Sequence, residues 1–379
     1  MKRFLILFLV FAYGLYFDVA AQGTVKITVA NKSDISRKDA VVEVPWADIL
    51  KVSPNIDTAN LLVIQALNKQ AVAHQLEYKG SKNVQHLLLQ LSVPAGKTVT
   101  LLIKNAKPSP EIVKTFARFV PERKDDFAWE NDKIAFRMYG KALENTKENA
   151  HGIDVWAKRT TKMVINERYK LDKYHIDNGD GLDYYHVGKT LGAGNIAPYI
   201  ADSVWYLGNY TSYKVLDNGP LRSTFQLIYP TANADGLKIS AVKTITLDAG
   251  SQLNKISQIY SFDKQTEIPV AIGFILRNEP DKISLTDPNG IVAYWEPAHG
   301  EDGIIGVGAI LPNKPKKYVW QKKQLLAVSA VNNGQPFIYY AGAAWNKAGE
   351  ITSSEQWFEY LKTYKKYLAA PLTVKVSKK

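Results

Sequence analysis

The sequence predicts an all-β protein in which a small β-sandwich domain precedes a large antiparallel β-sandwich. Three observations carry this. Apolar residues alternate with polar ones over strand-length stretches, as in Val25, Ile27 and Val29, the mark of a strand with one buried face. Turn residues, chiefly Gly with Asn or Asp, recur between those stretches. A single stretch carries a well-signalled helix.

Taken in order, Lys2 and Arg3 precede an apolar run over residues 4–16, followed by Asp18, Val19, Ala20 and Ala21. This is the plan of a secretory signal peptide cleaved after Ala21, which assigns residues 1–21 to export and the mature chain to the periplasm. The run is short for a membrane span of about 20 residues, and no later segment approaches that length, so no span is expected after cleavage. Residues 22–105 form the small domain. Its strands are the alternating Val25, Ile27 and Val29, residues 40–44 and 61–64, and the alternating Leu87, Leu89, Leu91 and Val93, then Val99, Leu101 and Ile103 after the turn Pro94-Ala95-Gly96. Residues 104–110, with Pro108 and Pro110 and no periodicity, are the linker.

Residues 106–379 form the large domain. Phe127-Ala128-Trp129-Glu130 and Lys133-Ile134-Ala135-Phe136 flank Asn131-Asp132, a hairpin signal. Residues 241–247 and 258–262 read as strands, and Asp287-Pro288-Asn289-Gly290 and Asn332-Asn333-Gly334 as turns. Ser353 followed by Gln356 is a capping box, and Trp357, Tyr360, Leu361 and Tyr364 then share one helix face, which packs on the sandwich.

Composition narrows the chemistry. The 379 residues include no cysteine, which excludes disulfides, thiolate metal sites, cysteine nucleophiles and lipid attachment through an N-terminal cysteine. A surplus of 48 Lys+Arg over 36 Asp+Glu suits nucleic acid, a membrane surface or an acidic substrate. Export and the lack of a basic tail set nucleic acid aside, and the His-, Tyr- and Arg-rich loops point the surplus at an acidic substrate.

Three of the six histidines, His151, His175 and His186, fall in the stretch densest in polar and aromatic groups. Asp177, Asp180 and Asp183 recur every three residues there, but lack the spacing and bidentate Glu of a calcium loop. No His pairing has metalloprotease form, so no metal is assigned; the acid–base mechanism requires no cofactor, and whether a cation is bound stays open. Residues 188–194 have no phosphate-loop ending; their glycines allow a sharp turn or a close approach. Acid–base chemistry by His and Tyr remains, with Arg and Lys neutralising a substrate carboxylate. The expected proton-transfer residues are His151, His175, Tyr184 and His186. The expected substrate-binding residues are Arg123, Arg159 and Lys189 for the carboxylate, and Trp156, Trp295, His299 and Trp345 to shape a sugar site. Tyr184 and Tyr185 are adjacent in an extended stretch, so only one of the two reaches a given cleft.

Residues 123–137, Gly152-Ile153-Asp154-Val155-Trp156, the run GDGLDYYHVGKTLGAGNIAPY at residues 179–199, and residues 216–222 resemble a family of exported Bacteroidota proteins, the domain of unknown function 4861, common in polysaccharide-utilisation gene clusters. The resemblance covers roughly residues 110–375 and not the small domain. It implies a galactose-mutarotase-like β-sandwich whose concave face binds sugars. It also suggests similarity to an ulvan oligosaccharide dehydratase, which removes water from a terminal uronic acid and leaves a 4,5-unsaturated sugar. The expectation is therefore β-elimination on acidic oligosaccharides; a non-catalytic carbohydrate-binding protein and a mutarotase or epimerase are the alternatives.

Overall fold

A computed structural model describes residues 25–108, 110–278 and 283–379. The proposed signal peptide lies outside these residues. The chain is all-β, with three α-helices among the described residues.

The first unit packs two small sheets face to face. Val25–Ala30 lies between Thr98–Asn105 and the C-terminal strand Thr373–Lys378, and Leu61–Gln65 completes that sheet. The opposing sheet is Arg37–Pro45, His86–Val93 and His74–Glu77. The alternation read from the sequence holds: Val25, Ile27 and Val29 point inward onto Leu87, Leu89, Leu101 and Ile103. The chain's last strand returning to its first is a long-range pairing that local periodicity does not report.

The second unit is built on an eight-stranded antiparallel sheet. Its strands run in the order Ser212–Asn218, Arg222–Ala234, Leu237–Asp248, Leu253–Phe262, Pro336–Trp345, Ile305–Ile310, Ile291–Trp295 and Ile283–Thr286. A five-stranded sheet centred on Glu267–Ile275 shares its core, as does a four-stranded sheet formed by Thr115–Val120, Asp126–Asn131, Ala135–Met138 and Asp154–Trp156. The Asn131-Asp132 hairpin forms as expected. The Asn131 side-chain oxygen accepts from the backbone N–H of Lys133 and Ile134 and closes the turn. The glycine-rich loop serves close approach between backbones: Gly192 has φ +61°, and a Cβ on Gly152 would stand 2.3 Å from the Gly192 nitrogen where Ile153 bridges to Gly192.

The helix Ser354–Ala369 is capped by Ser353, and Gln356 reaches back to the Thr352 N–H at 2.7 Å. Trp357 and Leu361 bury onto Ile291, Ala293 and Trp295, so the aromatic stripe is packing. Arg222 joins the two units, donating to Glu43 at 2.5 Å and Glu77 at 3.0 Å in the first and to Asp248 in the second. Among the described residues no helix is long and apolar enough to cross a membrane.

Candidate active site

The irregular segment after Gly181 carries the adjacent tyrosines in opposite directions. Tyr185 enters the core, while Tyr184 stays half-buried and stacks on the His299 ring at 5.2 Å and 22°. Residues Gly300–Asp302 form one tight turn, so His299 and Asp302, three apart, meet: Nδ1 and Oδ2 are 2.9 Å apart. Gly303 closes the turn at φ +97°, where a Cβ would lie 3.1 Å from the Trp345 indole nitrogen. That indole donates to the Asp302 carbonyl at 2.8 Å. The Arg159 guanidinium lies 5.2 Å over the Trp345 ring, with Nε on the Gly179 carbonyl at 3.0 Å and Nη2 on Asp177. Arg159, Trp345, Asp302, His299 and Tyr184 thus form one chain of contacts.

Its chemistry follows from these partners. A carboxylate on Nδ1 fixes the imidazole tautomer and leaves Nε2 as the proton acceptor. The Tyr184 hydroxyl is buried and makes no well-formed hydrogen bond. Burial, then the nearby Glu296 and Asp302 carboxylates, hold it well above the ordinary tyrosine range, so it is a neutral O–H at physiological pH and a proton donor. The His299 side chain is 66% exposed and open to substrate.

Next to Arg159 and Trp345 lies a cleft of about 110 Å³. Lys133, Lys158, Thr160, Gln252 and Glu350 also line it. Lys158 is anchored from below by Glu130 at 2.6 Å and by the Asn131 carbonyl at 2.7 Å. The buried Gln252 amide oxygen has no hydrogen-bond partner among the described residues. An unmatched acceptor beside cations and hydroxyls is what a polyhydroxylated ligand would satisfy.

The other expected residues divide. Trp156 and Trp295, at 1% and 5% exposure, offer no face to a sugar. Trp156 is sandwiched with Tyr174 at 4.9 Å and Trp295 lies under the C-terminal helix. Trp345, at 2%, is closed off by packing and supports Arg159 without presenting a free stacking surface. His175 is exposed and holds the Asp183 carbonyl through Nδ1 at 2.8 Å. His186 is exposed, and its carbonyl accepts from Arg277 at 2.7 Å. Arg123 is engaged by Tyr174 and Glu148. His151 and Lys189 stand apart, around Tyr206: His151 stacks on its ring at 4.8 Å, and the Lys189 carbonyl accepts its hydroxyl. Burial lowers the His151 pKa.

The three spaced aspartates each have an arginine. Asp177 pairs with Arg159, Asp180 with Arg168 at 3.2 Å and Asp183 with Arg137 at 2.9 Å. Among the described residues no group of three or more acidic or histidine side chains is placed to hold a metal ion. Sequence reasoning missed Gln252, Lys133 and Glu350, which sit in short turns without a motif. It named His299 as a candidate but not Asp302, whose spacing of three from that histidine was the available signal.

A family model described as a domain of unknown function (DUF4861) matches residues 29–374. The chain belongs to this family. The match begins in the small unit, so the expectation that the family likeness starts near residue 110 is corrected: the DUF4861 region embraces both sandwiches. A Formosa agariphila protein named uncharacterized protein P7 is 29% identical over 401 residues, spanning 99% of this chain and 100% of its own. Among solved structures, an Enterococcus faecalis protein in glycosyl hydrolase family 38 superposes with a TM-score of 0.50 at 12% identity, over 93% of this chain and 47% of that one. An α-mannosidase from E. faecalis V583 gives 0.49 at 12% identity, over 93% and 46%. This DUF4861 chain spans about half the length of those enzymes, and the likeness is one of fold.

Proposed function

We propose that this protein is a carbohydrate-active enzyme that performs β-elimination, as a dehydratase or lyase, on uronic-acid-containing oligosaccharides. The observation that carries the reading is the His299–Asp302 pair stacked on Tyr184, whose hydroxyl has no well-formed partner, beside Arg159. In the proposed step His299 Nε2 takes the proton from C5. The C–H electron pair forms the C4=C5 double bond, the C4–O bond breaks, and Tyr184 gives its proton to the departing oxygen. The proton then passes from His299 to solvent and Tyr184 is reprotonated, so no co-reactant is needed. Arg159 supports the step by neutralising the carboxylate on C5, where the carbanion's charge would build. The proposal includes export to the periplasm, which the N-terminal sequence pattern supports and where polysaccharide fragments would reach such an enzyme.

The test is absorbance at about 235 nm, roughly the band of an unsaturated uronate, over a panel of saturated uronic oligosaccharides. The expected result is a rise with wild type that is lost in His299→Gln and in Tyr184→Phe. Saturable binding without product, unaffected by either substitution, would instead make the protein a binding module. Deuterium uptake at C5 without mass loss would make it an epimerase.

A further inference from the structure

A second cavity, of about 30 Å³, lies inside the large sandwich and shares no lining residue with the cleft at Trp345. It is built around Lys243. On the strand Leu237–Asp248 the inward positions Leu237, Ile239, Ala241, Ile245 and Leu247 are apolar, and Lys243 occupies one of the same series at 2% exposure. Its amine donates to the Asn195 side-chain oxygen and sits 5.5 Å from the Tyr229 ring centroid. Among the described residues no carboxylate pairs with it. Desolvation lowers its pKa to about 7.

Around Lys243 the hydrogen-bond donors are left with capacity to spare. Asn195 spends its N–H on the His151 carbonyl at 2.6 Å, and Tyr260 spends its hydroxyl on the Ile196 carbonyl at 3.2 Å. The Tyr229 hydroxyl, likewise buried, has no partner. An ammonium has three N–H donors and the hydroxyl one, so Lys243 and Tyr229 hold unused donor capacity beside a positive charge, while the lining His151 sets Nδ1 on the Asn209 side-chain oxygen at 3.2 Å and keeps Nε2 as an acceptor. A space of this size holds a water or two. A buried cation stays charged at least cost when a counter-charge is bound beside it.

We propose that Lys243 and Tyr229 form a binding site for a small monovalent inorganic anion of about chloride size, within the large sandwich and separate from the sugar cleft. The probe is chloride, with bromide as its crystallographic stand-in. Protein prepared in gluconate and moved to chloride at constant ionic strength is expected to gain about 2 °C in Tm at several times the dissociation constant. The gain persists in Tyr184→Phe, is reduced in Tyr229→Phe and vanishes in Lys243→Met, an apolar replacement of similar length that suits the core position. Bromide-soaked crystals are expected to show an anomalous peak in the cavity. An equal halide response in Lys243→Met, or no bromide peak, overturns the proposal. A carbamate carbon signal on Lys243 with labelled bicarbonate also overturns it, by making the amine a covalent acceptor.

Discussion

Replacing Lys158 by Met tests whether the floor of the cleft is held by a buried ion pair. Neither the Lys158 nor the Glu130 side chain is accessible to solvent. Lys158 donates to Glu130 Oε2 at 2.6 Å and to the Asn131 carbonyl at 2.7 Å. Glu130 also accepts the Val164 and Ile165 backbone N–H groups at 2.9 and 2.8 Å, fixing the start of the helix Ile165–Leu171. Desolvation pulls the Lys158 pKa down and Glu130 opposes it. Methionine fills the same space but leaves Glu130 buried without its counter-ion, a change that costs about 3–5 kcal/mol. The two helix N–H bonds remain and keep the loss from being larger. Urea denaturation at pH 7 should show this loss in midpoint at unchanged slope. Adding Glu130→Gln removes the stranded charge while keeping an acceptor for one N–H, so the double variant should recover about 1–3 kcal/mol relative to the sum of the single changes. A Lys158→Met loss below about 1 kcal/mol, or strict additivity, would refute the reasoning.

Four further outcomes are expected. Tyr184→Phe should lower kcat by about 10²–10⁴-fold with little change in KM, measured by product absorbance, as for loss of a proton donor. Arg159→Met should raise KM about tenfold or more for carboxylated substrates and leave binding of a neutral, carboxyl-reduced oligosaccharide unchanged. Burial, with Asp154 nearby, raises the Asp183 pKa to about 8, and burial raises that of Asp126 to about 7; the folded state then keeps protons that the unfolded state has lost, so the stability these two groups contribute is fully present below about pH 4 and is lost as pH rises toward 8. Asp183→Asn should flatten that fall in urea midpoints. Gly306→Ala would place a Cβ 2.4 Å from the Trp295 ring and 3.0 Å from Trp357, so it should cost about 1–3 kcal/mol by thermal or urea unfolding.

Much of the fold could be read in the chain because its signals are local. Alternation along Val25–Ala30 and Leu237–Asp248 reports one buried face per strand. Asn131 writes its turn through its own side chain, and Ser353 with Gln356 writes its helix start. The pairing of Thr373–Lys378 with Val25–Ala30 could not be read that way, because either neighbour satisfies the same alternation and the choice is made by chain closure. Lys243 shows the same limit from the other side: its strand reads correctly, yet a lysine at an inward position looks outward-facing until the flanking residues are counted.

The candidate site was legible as an inventory and not as an assignment. Arg159, Tyr184, His299 and Trp345 do converge, but their roles depend on which neighbours the fold supplies. His175 and His186 come from the richest polar stretch, where a His175 ring nitrogen lies on the Asp183 carbonyl and the His186 carbonyl accepts from Arg277. His299 lies in a plainer loop, yet a single tight turn sets a carboxylate on its Nδ1 and a tyrosine against its face. What makes a histidine a base is the group behind it, and that group comes from a three-residue spacing that many surface loops share. The tryptophans reverse the lesson. Stacking on sugars needs an open face, and Trp156, Trp295 and Trp345 spend theirs on Tyr174, Trp357 with its helix, and Arg159. Under the proposed function, recognition in this cleft would rest on hydrogen bonds and charge, from Arg159, Lys133, Thr160 and the unmatched oxygen of Gln252, a balance suited to an acidic sugar more than to a neutral one.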